Sequence, residues 1–169
     1  MDERRIHLVC GPTGAGKTTY ARNLSRRIGA VRFSIDEWMT ALFWMDASHP
    51  LTPSWSLERV ERCQVLIWAT ASQVALRGTP CVLEIGLARR DDRARFARLA
   101  ADAALSLRLH VVDAPQDERR RRVAARNADE SARQLPFAVT PEMFDFVETL
   151  WEPPSEEEMA ACDGVHATT

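Results

Sequence analysis

The sequence almost lacks lysine: Lys17 is the only one among 22 basic residues, and the other 21 are arginines. A GC-rich coding bias accounts for such an arginine excess, and it makes the one retained lysine a residue of interest. The net charge of −2 gives the chain no overall positive field, which disfavours a general attraction to nucleic acid or to anionic membranes. Local basic patches are compatible with that balance.

Paired cysteines and long apolar runs are lacking as well. The four cysteines are widely spaced, without a Cys-x-x-Cys pair or histidines at ligand spacing, so neither a disulfide framework nor a structural zinc site is expected. No apolar run has the length of a membrane span, and the first residues do not resemble a cleavable leader. We therefore expect a cytoplasmic protein with one core, which suits a chain of 169 residues.

One specific motif is present, the run Gly11-Pro12-Thr13-Gly14-Ala15-Gly16-Lys17-Thr18-Thr19. Two glycines separated by four residues and followed by lysine and threonine form the phosphate-binding loop pattern, and a strand-like segment before it and a helical one after it support the match. In such loops backbone N–H groups surround the phosphates, the lysine reaches the β- and γ-phosphates, and the threonine hydroxyl binds Mg²⁺. The run from Gly11 to Thr19 therefore predicts a nucleoside triphosphate site.

Strand and helix patterns alternate along the rest of the chain, which predicts an α/β fold with a parallel sheet between two layers of helices. Strands are predicted near residues 6–10, 31–35, 80–86 and 105–112, and helices near 18–27, 37–45, 54–77, 91–104, 115–127 and 140–151. We expect a domain over residues 1–155 and an acidic, irregular and flexible tail over residues 156–169.

Two carboxylates follow predicted strands, where open α/β sheets place residues that face ligands. Glu84 lies near the end of an apolar strand, and this setting favours a role in holding Mg²⁺ or its water over a purely structural hydrogen bond. Asp36 follows the second strand and is a candidate to accept the proton of a substrate hydroxyl. Asp36 also suits the N-cap of the next helix, and the two roles are compatible.

Arginines form a further candidate group, because a guanidinium can bridge the oxygens of a phosphoryl group during transfer. Helical spacing puts Arg119, Arg122 and Arg126 on one side of a basic helix and leaves Arg120 and Arg121 in water. A subset can thus face the nucleotide, although a charged helical face most often contacts only solvent.

The helix after Asp36 is apolar nearly all round, so it has more apolar side chains than one core contact needs. Met39, Phe43 and Trp44 are therefore predicted to line an acceptor pocket for a partly apolar small molecule. Arg89 belongs to a second, smaller basic group just past Gly86 and is assigned to the same pocket.

In this order the features resemble the small P-loop kinases of the zeta-toxin, chloramphenicol-phosphotransferase and polynucleotide-kinase type, which have an AAA-type ATP-binding domain. The resemblance covers about residues 5 to 155 and rests on the phosphate loop, Asp36, Leu83-Glu84-Ile85-Gly86-Leu87, Asp113-Ala114-Pro115 and the stretch from Arg122 to Asn127. It implies a four-stranded sheet of order 2-3-1-4, Asp36 as general base, and an arginine-rich lid over ATP at about residues 115–140 that contains Arg122 and Arg126.

Two positions depart from the polynucleotide kinases. Those kinases place an arginine three residues after the aspartate, where this chain has Met39, and a basic lid residue where it has Glu130, with Arg133 nearby. An apolar residue where a phosphate would be held disfavours a nucleic acid end as acceptor.

The sequence thus predicts an ATP- and Mg²⁺-dependent phosphotransferase that moves the γ-phosphate to a hydroxyl of a small molecule, such as a metabolite or an antibiotic-like compound. The predicted catalytic residues are Lys17, Asp36, Arg122 and Arg126, and the predicted metal ligands are Thr18 and Glu84. Two alternatives stay open: a polynucleotide 5′-hydroxyl kinase, and an ATPase or nucleotide-binding switch without a phosphoryl acceptor.

Overall fold

A computed structural model describes residues 5–47, 52–129 and 136–168. The strands are β1 (Arg5–Cys10), β2 (Val31–Ser34), β3 (Cys81–Glu84), β4 (Ser106–Val112) and β5 (Val165–Ala167). The helices are α1 (Lys17–Ile28), α2 (Ile35–Phe43), α3 (Pro53–Leu76), α4 (Arg90–Asp102), α5 (Gln116–Ala128), α6 (Pro141–Leu150) and α7 (Glu156–Ala161), and a 3-10 turn, Trp44–Asp46, follows α2.

The five strands form one parallel sheet in the order β2-β3-β1-β4-β5. The predicted α/β class and the predicted order of the first four strands are confirmed, and β5 adds a strand beyond β4. All four residues of β3 are buried, as a parallel strand between helices requires. This order puts the carboxyl ends of β2, β3 and β1 side by side, so the segments that follow them meet at one edge of the sheet.

Alternate residues of β1 point to opposite faces of the sheet, and each face has its own core. Ile6 and Leu8 belong to a large core that includes Ile67 of α3 and Phe96 of α4. Val9 belongs to a smaller core that α1 covers. The sheet therefore lies between two helical layers and fixes the start of α1 at its carboxyl edge.

The face beside α1 also holds two buried histidines, His7 on β1 and His110 on β4. Nδ1 of His7 lies 2.8 Å from Nε2 of His110, and Nδ1 of His110 lies 2.7 Å from the hydroxyl of Tyr20 on α1. Burial is the largest cause that lowers the pKa of His7 to about 4 and the pKa of His110 to about 3. Both imidazoles are therefore neutral at pH 7, and they join two strands to α1.

The segment after residue 155 differs from the irregular tail that the sequence predicts. The hydroxyl of Ser155 caps α7 by accepting the N–H of Glu158 at 3.2 Å, and β5 pairs with β4. The Ser-x-x-Glu capping pattern at 155–158 was the signal that the acidic composition obscured. The prediction of irregular structure is wrong for residues 156–161 and 165–167, whereas a domain boundary at residue 155 stays a prediction.

None of the helices in the described ranges is long and apolar enough to cross a membrane.

Candidate active site

The phosphate loop connects β1 to α1 at the edge where three strands end. A Cβ atom at Gly11 would lie 2.0 Å from the carbonyl oxygen of Val112, so only glycine lets the loop pass this close to β4. Gly16 precedes α1 with a left-handed φ of 95°, and no side chain caps the helix. The first N–H groups of α1 therefore lack a side-chain cap and face the loop, an arrangement that favours a bound anion.

Lys17 extends within the loop, and its Nζ donates a hydrogen bond to the carbonyl oxygen of Pro12 at 2.8 Å. Removal from solvent is the largest influence on this ammonium and lowers its pKa, whereas the charges of Glu84 and Asp36 oppose that shift. The structure thus brings Lys17, Glu84 and Asp36, three residues that the sequence assigned to the chemistry, into one electrostatic environment.

Glu84 ends β3 with its side chain buried between two donors. The hydroxyl of Thr18 donates to Oε1 of Glu84, and Nη1 of Arg32 on β2 donates to Oε2 at 3.1 Å. Burial, the largest cause, raises the pKa of Glu84, and the hydrogen bond from Thr18 opposes that shift. The two predicted metal ligands are therefore in direct contact, and Arg32 is an added partner of the carboxylate.

Asp36 lies in the first turn of α2 but is not its N-cap, because Ser34 occupies that position. Its carboxylate makes no hydrogen bond or ion pair with another residue in the described ranges. Burial raises the pKa of Asp36, and the charges of Lys17 and Arg126 lower it. The side chain is therefore held beside two cations and is free of a structural partner among the described residues.

One side of α5 faces the phosphate loop. Nη1 of Arg122 donates to the carbonyl oxygen of Ala15 at 3.3 Å, and Arg126 lies near enough to Lys17 to lower its pKa. Arg120 instead pairs with Asp145 at the surface. This arrangement agrees with the helical spacing of the sequence, while the roles of Arg122 and Arg126 in transfer stay predictions.

The lid assignment extends into residues outside the described ranges. Glu130 and Arg133, the positions compared with polynucleotide kinases, both fall there.

Arg119 has a structural role, because its guanidinium is buried between the phosphate loop and α6. Nη1 donates to the carbonyl oxygen of Thr13 at 3.1 Å, and the two terminal nitrogens donate to both carboxylate oxygens of Glu148 at 2.6 and 2.7 Å. The hydrogen bonds that Arg119 donates to Glu148 are the largest cause of the raised pKa of Arg119. We call this contact the Arg119–Glu148 brace, because it ties the phosphate loop to α5 and α6.

A cavity of about 570 Å³ opens above the phosphate loop, a size within the range of small-molecule sites. Its charged lining consists of the side chains Lys17, Asp36, Glu84, Arg122 and Arg126. A separate wall is apolar and consists mainly of Leu87, Phe137, Val139, Met143, Val147, Leu150 and Trp151. The cavity thus has a charged floor and an apolar wall to which α6 and its C-cap residue Trp151 contribute four of these seven residues.

The structure does not bring the predicted acceptor residues to this cavity. Met39 and Phe43 pack against the large core, because α3 lies along α2 and covers its apolar side chains. Trp44 stacks on Phe137 with ring centroids 5.5 Å apart, and Arg89 is exposed just before α4. Trp44 thus contacts a residue of the cavity lining, Phe137, without lining the cavity itself.

Two parts of the site were not predicted from the sequence, although a recognisable sequence pattern marks each of them. Met143, Val147, Leu150 and Trp151 follow the spacing i, i+4, i+7 and i+8, which marks one face of a helix. Arg32 is the one charged residue of β2, which pairs with β3, and a charge in that position calls for a buried partner.

The profile of the AAA domain family matches residues 6–150, a range that contains the phosphate loop, Asp36, Glu84 and the arginines of α5. The chain belongs to the AAA domain family. A comparison of this AAA domain with curated proteins gave no match.

Solved structures share the fold of this AAA domain at low sequence identity. Kti12 from Chaetomium thermophilum in complex with ADP-AlF3 has a TM-score of 0.73 at 13% identity, over 96% of this chain and 88% of Kti12. A putative kinase from Chloroflexus aurantiacus has a TM-score of 0.67 at 21% identity, over 85% of this chain and 74% of that one. A gluconokinase from Sinorhizobium meliloti has a TM-score of 0.61 at 17% identity, over 96% and 81%. The AAA domain therefore has the fold of P-loop kinases.

Proposed function

We propose that this AAA domain is an ATP-dependent phosphotransferase that moves the γ-phosphate to a hydroxyl group of a small molecule. The observation that carries the proposal is Asp36, whose carboxylate has no partner in the described ranges and lines the same cavity as Lys17. A carboxylate beside the phosphate loop is suited to orient and deprotonate an alcohol.

On the donor side, the phosphate loop supplies N–H groups and Lys17 supplies positive charge. Thr18 and Glu84 present oxygen atoms side by side at the foot of the loop, which suits a magnesium ion that also contacts phosphates and water. Both oxygens of Glu84 already accept hydrogen bonds, so Thr18 is the better direct ligand and Glu84 the better partner for a metal-bound water. Bound Mg²⁺ would neutralise charge on the β- and γ-phosphates.

On the acceptor side, Asp36 takes the proton. The hydroxyl oxygen forms a bond to the γ-phosphorus while the bond from that phosphorus to the bridging oxygen of ADP breaks. The hydroxyl proton passes to a carboxylate oxygen of Asp36, and ADP leaves with the bridging oxygen. Burial raises the pKa of Asp36, which makes its carboxylate a better proton acceptor than an exposed aspartate.

Arg122 and Arg126 complete the site from α5. Both line the cavity, and Arg122 already contacts the phosphate loop at Ala15. Their guanidinium groups are suited to the charge that spreads over the equatorial oxygens of the transferring phosphoryl group.

The test is ADP release from ATP and Mg²⁺ in the presence of hydroxylated metabolites and antibiotics, with a 5′-hydroxyl oligonucleotide as one arm. The wild-type protein should release ADP faster with a small hydroxyl compound, and Lys17→Ala and Asp36→Asn should abolish that stimulation. Asp46→Asn, at an exposed position after α2, is the matched control and should behave as wild type. Phosphate transfer by Asp36→Asn at the wild-type rate would overturn the assignment of Asp36 as the base. Strong stimulation of ADP release by the oligonucleotide would overturn the preference for a small-molecule acceptor.

A second function, ATP hydrolysis without an acceptor, is favoured by the likeness to Kti12, whose structure contains ADP-AlF3. The contact between Thr18 and Glu84 would serve hydrolysis as well as transfer. Steady ADP release that no acceptor stimulates, and that Asp36→Asn does not slow, would favour this second function.

A further inference from the structure

Part of the apolar wall of the cavity is a stripe along α6 that ends at its C-cap residue, Trp151. One face of α6 carries Met143, Val147 and Leu150, and Trp151 follows on the same side as the C-cap residue. All four side chains line the cavity. Phe146, at the flank of the same helical face, does not line the cavity and has 58% of its surface in solvent. We call the four lining residues the α6 stripe.

The position of the stripe relative to the strands decides which part of the site it serves. Leu87 and Ala88, which follow β3, line the cavity beside the stripe, and the N–H of Glu152 donates to the carbonyl oxygen of Ala88 at 3.0 Å. Among the described residues, the connection from β4 to α5 (residues 113–115) and residue 168 after β5 do not line the cavity, whereas α5 lines it through Arg122, Val123 and Arg126. The cavity therefore extends from the phosphate loop towards Glu84 and Asp36, the side on which an acceptor must approach.

Charge restricts what this space can hold. The cations that line the cavity, in the part of the chain that the structure describes, are Lys17, Arg122 and Arg126. Arg122 is bonded to the phosphate loop, and Arg126 acts on Lys17 and Asp36. All three line the cavity together with Asp36. The guanidinium of Arg93 lies 5.7 Å from the centroid of the Trp151 ring, but Arg93 is buried, is paired with Glu158 and does not line the cavity. Among the described residues, no further cation therefore faces the cavity from the α6 stripe to hold an anionic group.

The stripe is also held in place. Glu148 is fixed by the Arg119–Glu148 brace, and the carboxylate of Glu152 accepts the N–H of Arg90 at 2.8 Å. Phe144, on the same helix, is only 2% exposed. A wall anchored at several points along one helix is preorganised, which lowers the entropic cost of binding.

We infer that the α6 stripe binds the body of the acceptor, and that the acceptor is an uncharged alcohol with an aromatic or branched aliphatic group. The apolar group packs on Val147 and its neighbours while the hydroxyl points to Asp36. This inference rests on the proposed phosphotransfer, and it adds the surface that selects the substrate.

The experiment measures binding directly, with 2-phenylethanol as the probe and glycerol as a polar alcohol for comparison. Saturation-transfer NMR on the full chain, with and without ADP and Mg²⁺, should detect 2-phenylethanol and not glycerol. Val147→Gln puts an amide into the apolar wall and should weaken binding of 2-phenylethanol about tenfold. Phe146→Gln, one residue away on the exposed side, should bind it as wild type does.

Met143→Gln provides a second variant in the stripe, and because Met143 is 41% exposed the folded chain should tolerate the change. Undiminished binding of 2-phenylethanol by both stripe variants would overturn the inference. Displacement of 2-phenylethanol by adenosine would also overturn it, because the stripe would then hold the base of the nucleotide. ADP release in the same samples is a separate readout: binding that depends on the stripe, without any ADP release, would support the surface and count against phosphotransfer.

Discussion

Gly14 lies where the phosphate loop touches α5. It has a left-handed φ of 79°, and a Cβ atom there would be 2.7 Å from the carbonyl oxygen of Arg119. Gly29, at the end of α1, has a comparable φ of 67°, but a Cβ atom there would meet no described neighbour within 4 Å. Comparison of alanine variants at the two positions therefore distinguishes the free-energy cost of a left-handed side chain from the cost of crowding the phosphate loop.

We expect Gly29→Ala to lower the free energy of unfolding by about 1 kcal/mol, because it places a side chain in the left-handed region. Gly14→Ala should lower it by more, because its Cβ also meets the carbonyl oxygen of Arg119. Only Gly14→Ala should also weaken nucleotide binding, by about tenfold or more, since it displaces α5 from the loop. Urea unfolding and titration with a fluorescent ATP analogue measure the two effects. Equal nucleotide affinity in the two variants would contradict this account.

His7 and His110 make stability depend on pH. In the unfolded chain each titrates near 6.5, whereas in the fold the pKa values are about 4 and about 3. Between these values the unfolded state binds more protons than the native state, so the stabilisation is complete above pH 6.5 and is lost as the pH falls. The loss should approach about 1.4 kcal/mol per pH unit for each histidine.

Urea unfolding between about pH 7 and about pH 5 measures this dependence. His110→Gln removes one titrating group and should roughly halve the slope. A wild-type midpoint that does not move over this interval would refute the role of the buried histidines.

At the scale of the elements, α6 connects the phosphate loop to the wall of the cavity. Glu148→Gln removes the bidentate anion of the buried Arg119 guanidinium and leaves it the longer pair with Asp113 at 3.7 Å. We therefore expect a loss near the lower end of the about 3–5 kcal/mol that breaking a buried pair costs. Because Arg119 also bonds to Thr13, we expect a higher KM for ATP together with a lower urea midpoint.

Asp145→Asn is the matched control on the same helix, because Asp145 pairs with Arg120 at the surface. Such exposed pairs contribute about 0.2–1 kcal/mol, so this variant should stay close to wild type in both measurements. If Glu148→Gln and Asp145→Asn lowered the urea midpoint and raised the KM for ATP to a similar extent, the buried Arg119–Glu148 brace would contribute no more than an exposed ion pair.

Local sequence patterns predicted most helices and strands, whereas packing between distant segments determined which of their side chains are covered. Thr140 and Pro141 mark the start of α6, and the structure has Thr140 as its N-cap, accepting the N–H of Met143 at 3.2 Å. The acceptor pocket was assigned to Met39 and Phe43 because α2 is apolar all round. That surplus is covered by α3, a contact between distant segments that the periodicity of α2 alone does not contain.

The electrostatic centre was more predictable than the wall around it. Lys17, Glu84 and Asp36 each lie at or shortly after a strand end, so strand order alone brings them together. Arg32 and Glu148 were missed because their partners lie 52 and 29 residues away, and sequence position gives no sign of such pairings. The predicted roles of the site residues remain predictions until the variants are measured.

At the scale of the whole molecule, the segment after residue 155 is tied to the cavity through α4. Arg93 is 2% exposed, pairs with Glu158 of α7 at 2.5 Å, and donates to the carbonyl oxygens of Leu87 and Ala88 at 3.3 and 3.1 Å. The carbonyls that it holds belong to residues that line the cavity. This segment therefore supports the site.

We expect Glu158→Gln to lower the free energy of unfolding by about 3 kcal/mol, because it leaves Arg93 buried with its charge uncompensated. Glu156→Gln removes an equal charge from an exposed position of α7 and should change stability by less than about 0.5 kcal/mol. Thermal unfolding of both variants distinguishes the two cases. A chain cut after residue 155 that is as stable as the full chain would instead support a domain boundary there.

Lys17 is the only lysine in the chain, and it is enclosed in the phosphate loop. A protease that cuts only after lysine therefore has one cleavage site, and reaching it requires the loop to open. The unfolded chain should give two fragments, while the folded chain should be cut more slowly, in proportion to the population in which the loop or the whole fold is open. Nucleotide that binds the loop should slow this cleavage, so the appearance of a single cut reports site occupancy without any knowledge of the acceptor.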